Sequence, residues 1–189
     1  MKIRTALALF FPLSILISVL GCSSSDSKQD SKSPSATSRK MTYSIDAQTK
    51  GTMKPGATVF VETSKDDLKK AQQIDLVEKA FLLEGYKKAA DAEHADFKVS
   101  AEFRFEKPFT GISIGIISDF KHIMTLKARK GDSLVWQMEV KGESEYEELD
   151  HVLPQLLGAS QAYIGKKTAG VIELRMHDRD PRVLPYLEN

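Results

Sequence analysis

The pentapeptide Gly111-Ile112-Ser113-Ile114-Gly115 fits the G-x-S-x-G spacing of a hydrolase nucleophile elbow, and Asp150 and His177 follow it in the order of an acid and a base. That chemistry needs a strand before the serine and a helix after it. Here β-branched residues and a second glycine follow, and no stretch reads as the parallel sheet of that fold. The local pattern therefore argues against a serine hydrolase, and no catalytic residue is expected. His94, His122, His151 and His177 lie near Asp91, Asp96, Asp150, Asp178 and Asp180, but none forms the i, i+4 pair that sets two ligands on one helix face. Without three or four converging ligands, neither a metal nor another cofactor is expected. His94 and His177 read as solvated loop residues. His122 shares a parity with core residues near a strand start and reads as a hydrogen-bonded structural residue. Trp136 has the parity of Leu134 and Met138 and reads as core.

Cys22 is the only cysteine, which excludes an intrachain disulfide and a cysteine-based metal cluster. It ends a stretch that starts with Lys2 and Arg4, continues as an apolar run over 5–20 and closes on Gly21. A charged start, an apolar middle and a small residue before a cut describe a secretory signal. The run is also shorter than the roughly 20 residues a membrane-spanning helix needs. Val19-Leu20-Gly21-Cys22 resembles the lipobox of bacterial lipoproteins. The resemblance implies that 1–21 is a signal peptide and that Cys22 is acylated as the first residue of the mature chain. Ser23, standing where an aspartate would retain such a protein, implies sorting to the outer membrane, with the body facing the periplasm, if the source is Gram-negative. Residues 23–39 hold eight serines and no large apolar side chain, so 22–40 reads as an acylated cysteine on a flexible tether. As a coil of about 18 residues it would span on the order of 25 Å.

With 27 Lys+Arg against 26 Asp+Glu, the chain has no basic excess with which to hold nucleic acid. Residues 41–189 are of a length for one domain.

The strongest periodic signal is 95–106, where Phe97, Val99, Ala101, Phe103 and Phe105 alternate with polar residues. A period of two predicts a strand with one wet face, as in antiparallel sheets, and sets three phenylalanines against a core. Met41, Tyr43, Ile45 and Ala47 predict a first strand, and 57–62 a second. Leu68, Ala71, Ile74, Val77 and Phe81 recur at helical spacing, with Ser64 as cap and Asp67 three residues on. Gly85 should end that helix in a left-handed conformation, with Tyr86 against Phe81. A polar connection over 87–93 leads into the central strand. Phe120, His122, Met124, Leu126 and Ala128, the turn Lys130-Gly131-Asp132, and Leu134, Trp136, Met138 and Val140 then predict two more strands of a meander. A second helix is expected over 154–164, with Pro154 in its first turn, and a last strand, with a helical continuation as the alternative, around Ile172, Leu174 and Met176. The tail from Asp180 docks or frays. The expected class is α+β, a mostly antiparallel sheet with two helices packed on one face.

Leu82-Leu83-Glu84-Gly85-Tyr86, Ala95-Asp96-Phe97-Lys98-Val99 and Asp132-Ser133-Leu134-Val135-Trp136, together with the lipobox, resemble uncharacterised bacterial envelope lipoproteins with a short periplasmic domain of unknown function. That resemblance implies a small envelope domain that assists other envelope machinery, and it supplies no catalytic residues.

Between the central strand and the next lies an apolar stretch containing Phe109, Ile112, Ile114, Ile116 and Ile117. Exposed at a hairpin tip, these residues would make a partner or lipid contact; folded under a helix, they would be core. The expected function is a non-catalytic binding or adaptor domain, tethered to the membrane by its lipid and directed at an envelope protein or cell-wall partner. A carrier of a small ligand or lipid is the alternative.

Overall fold

A computed structural model describes residues 40–62, 68–107 and 120–187. The expectations that rest on Cys22, the tether, Ser64, Asp67, Ser113, Phe109, Ile112, Ile114, Ile116 and Ile117 lie outside those residues. The chain is α+β, with the order β1 (Lys40–Thr49), β2 (Thr58–Val61), α1 (Leu68–Leu83), β3 (Lys87–Lys88), β4 (Phe97–Glu106), β5 (Phe120–Lys130), β6 (Ser133–Ser144), α2 (Leu149–Ser160), β7 (Ile172–His177) and α3 (Leu184–Leu187). One seven-stranded sheet runs β3-β2-β4-β5-β6-β1-β7.

The expected meander forms, with one apolar face. Phe103 pairs with Met124, which pairs with Val140, and Ala101, Leu126 and Met138 make the next row. Tyr43, Ile45, Met124, Leu126, Trp136, Met138 and Val140 are buried, while Asp46, Gln48, Glu102, Lys127 and Glu139 alternate onto the wet face. Ion pairs lace that wet face, with Lys127 Nζ 2.7 Å from Glu102 and Lys141 Nζ 2.7 Å from Glu139. Ile123 is an exception to the alternation. It faces the polar side yet is buried, with Arg104 and Lys141 as its cross-strand neighbours, whose long stems can lie over it.

Two pairings are parallel. β2 runs alongside both β3 and β4, because α1 carries the chain from one end of the sheet back to the other before the next strand begins. The first β2–β4 contact is closed by Asp96, whose carboxylate accepts from the Thr58 backbone N–H at 2.8 Å and from its hydroxyl at 2.9 Å. Part of the stretch expected as a polar connection after α1 is thus the short edge strand β3.

Helix α1 ends as its sequence predicts. Gly85 has φ +84°, Tyr86 N–H donates to Phe81 C=O at 3.1 Å and Gly85 N–H to Leu82 C=O at 3.0 Å. This is a Schellman end, and the Phe81 and Tyr86 rings meet edge to face at 5.6 Å. Phe81 also meets Trp136 of β6, at 6.0 Å and 87°.

Helix α2 departs from expectation. It begins at Leu149, so Pro154 sits in its second turn, where it removes one intrahelical bond. All of 152–160 is buried, because the tail covers the side that a simple amphipathic helix would leave wet. Val183 and Tyr186 are buried, and the backbone of Arg182 approaches Gly158 closely. The tail docks.

Arg182 holds the start of that tail, donating from Nε and a terminal nitrogen to the two Asp180 oxygens, each at 2.8 Å. This pairing holds the Asp180 carboxyl at about 2. An unfolded aspartate titrates near 3.9, so the pair's contribution is complete above about pH 4 and disappears as the pH falls towards 2. Asp180→Asn should therefore lower the urea midpoint at pH 6 and leave it little changed at pH 2.5. Arg182 is 42 % exposed, so the effect at neutral pH should be a few tenths of a kcal/mol.

Candidate functional site

β4 leaves the core halfway along its length. Phe97 and Val99 are buried, Ala101 and Phe103 are half-buried, and Phe105 is 39 % exposed. This corrects the expectation of three phenylalanines against a core. Alternation specifies which face a side chain points to, but not how far the covering helices reach along the strand. β2 flanks only the first half, since it ends at Val61, which pairs with Val99.

The uncovered half carries an aromatic strip. The Phe105 ring lies 5.8 Å from Phe120 and 5.9 Å from His122, its cross-strand partner. Lys107 Nζ stands 5.8 Å from the Phe105 ring centre and 3.2 Å from Glu147. His122 is fully buried, and its Nε2 lies 2.7 Å from the Tyr146 carbonyl, which can only accept. Nε2 therefore carries the proton, and Nδ1 has no partner among the described residues. Tyr146, 48 % exposed, extends the strip with its ring 5.2 Å from His151, whose Nε2 is 3.2 Å from Glu148. Beside the strip, Ile74, Ala101 and Phe103 floor an open cleft of about 490 Å³, with Glu62 and Arg104 at its rim.

Such a surface suits contact with apolar or aromatic groups. The imidazole of His122 is committed to a carbonyl, and among the described residues no group of three His, Cys, Asp or Glu could hold a metal ion. The other singled-out residues are separately engaged. His94 Nδ1 is 2.7 Å from Asp91 in an exposed loop, Asp150 accepts from Gln73 at 3.1 Å, and His177 closes β7 opposite Lys40. Trp136 is core, 1 % exposed, with its indole N–H donating to Lys166 C=O at 2.8 Å. Sequence reasoning placed His122 correctly but missed Phe105, Tyr146 and His151 as a surface. The signal available was the aromatic spacing at the ends of two facing strands.

No family model and no curated protein matches the chain. Among solved structures it is similar to PelC dodecamers from Paraburkholderia phytofirmans, at TM-scores of 0.46 and 0.45 and 9 % and 10 % identity, covering 66 % and 67 % of this chain and 99 % of each of those. It is also similar to a PDZ domain protein from Parabacteroides distasonis, with a TM-score of 0.50 and 9 % identity over 73 % of this chain. The chain spans 39 % of that protein's length, and the likeness is one of fold.

Proposed function

We propose that the chain is a lipid-anchored bacterial envelope lipoprotein whose body binds an envelope protein or cell-wall partner without catalysis. In this reading Cys22 carries the lipid, the stretch from there to the start of β1 at Lys40 is the tether, and two helices cover one face of the sheet. Phe81 of α1 meeting Trp136, and Leu156 of α2 lying beside Gly142 on the same parity of β6, support that arrangement.

The observation that carries the binding role is the aromatic strip of exposed Phe105 and Tyr146 and half-buried Phe120 around buried His122. Exposed apolar patches of this kind mark contact surfaces. The stretch with Phe109, Ile112, Ile114, Ile116 and Ile117 lies in sequence between β4 and β5 and is the other proposed site of partner contact. The carrier alternative draws on the cleft over Phe103. Against it, Trp136, Phe81, Leu153, Leu156 and Leu157 fill the space between helices and sheet that an enclosed ligand would need.

A photo-crosslinking side chain at Phe105 or Ile114 in living cells should yield one discrete adduct, while the same probe at buried Val140 should yield none. Absence of an adduct from both Phe105 and Ile114 would count against the adaptor role. A lipid or small molecule recovered by organic extraction of the purified chain would favour the carrier.

A further inference from the structure

The two edges of the sheet are built differently. β3 is two residues long, and both are exposed lysines, a short charged edge of the kind that resists further pairing. β7 at the other edge is six residues long, lies in unbroken register with β1 from Ile172 to His177, and contains neither proline nor lysine. Among the described residues no strand pairs with its outer side.

Its side chains alternate. Ile172 and Leu174 are half-buried on the core-facing parity, beside buried Met176. Glu173 and Arg175 are exposed on the other parity, and their neighbours on β1 are the uncharged Ser44 and Thr42. Neither charge has an ion partner among the described residues.

We infer that β7 docks a second copy of this chain, the two strands pairing antiparallel across a two-fold axis at Leu174 and continuing the sheet through both protomers. In that register Leu174 opposes Leu174, Ile172 opposes Met176, and Glu173 opposes Arg175 twice. A two-fold interface brings the same patch together with itself, so such a patch must be self-complementary. The competing registers are not. A shift of one sets Leu174 against Arg175, and shifts of two set Arg175 against Arg175 or Glu173 against Glu173. Like charges directly opposite destabilise a strand pair, while opposite charges and apolar pairs stabilise it. The charges thus select the one register that also joins the apolar residues. This inference is independent of the adaptor reading, which concerns the aromatic strip.

The test uses the full chain with Cys22→Ser and Leu174→Cys, so that position 174 bears the only thiol. Directly opposed residues of an antiparallel pair have Cα atoms about 4.5 to 5.5 Å apart, within the reach of a disulfide. Mild oxidation should give a covalent dimer, and Ser44→Cys in the same background should not. By sedimentation equilibrium, Glu173→Arg should weaken dimerisation about tenfold, and Glu173→Arg with Arg175→Glu should restore it. Both positions are exposed, and circular dichroism verifies that each variant is folded. A monomeric parent chain at high concentration, or a double variant as weak as the single one, would overturn the inference. So would capture of a different protein's strand at β7 by a chain that stays monomeric alone.

Discussion

Trp136→Ala should cost about 3 to 5 kcal/mol of stability, read as a lowered urea midpoint with an unchanged slope. The indole is 1 % exposed at the point where sheet and helix layers meet, edge-on to Phe81 at 6.0 Å. Removing it leaves a cavity bordered by α1 and β6. That void cannot close without moving Phe81, which the Schellman end of α1 also holds against Tyr86. The indole N–H bond to Lys166 C=O is a smaller part of the loss, because Lys166 is exposed and water can take over its carbonyl. Against a typical total of about 5 to 15 kcal/mol, such a change would leave a substantial unfolded fraction at physiological temperature. Trp136→Phe should lose less than half as much, since the ring contact survives. A cost under about 1 kcal/mol for the alanine variant would mean that the neighbours collapse freely, against the close packing expected of a core.

Gly142→Ala should cost about 1 to 3 kcal/mol by crowding rather than by any loss of contacts. Gly142 lies between His122 of β5 and Tyr43 of β1 in the cross-strand row. A Cβ there would sit 2.7 Å from Tyr43 Cε1 and 3.1 Å from Leu156 Cδ2. Tyr43 cannot swing aside cheaply. It is fully buried, and its hydroxyl donates to Gln155 Oε1 of α2 at 3.3 Å. The missing side chain therefore sets how closely α2 approaches the sheet. Tyr43→Leu would free the space at its own cost, so the double variant should be less destabilised than the sum of the singles. Strict additivity, measured by chemical denaturation of all four chains, would show that Gly142 and Tyr43 do not compete for volume.

Several features of this molecule follow from spacing along the chain alone. The alternation of the meander strands, the left-handed end of α1 at Gly85, the turn at Gly131 and the core parities of Tyr43, His122 and Trp136 all rest on neighbours a few residues apart. At that range, backbone geometry dictates which residues meet. The wet-face charges were legible for the same reason. The self-complementary alternation of β7 was legible as a strand, but not as an edge.

What the folded chain adds depends on which elements become neighbours and how far they overlap. β2 is parallel because α1 reverses the chain, a geometry that period-two alternation does not encode. α2 starts at Leu149, earlier than its proline suggested, and from Val152 onward it is buried on every side because the tail packs over Gly158. Phe105 has the parity of a core residue and lies exposed, because β2 stops short of it and the covering layer stops with it. The aromatic strip thus arises where the sheet outruns its cover. Alternation along a strand sets the direction of each side chain, whereas burial depends on the reach of segments distant in sequence, and that reach is settled only when the layers pack.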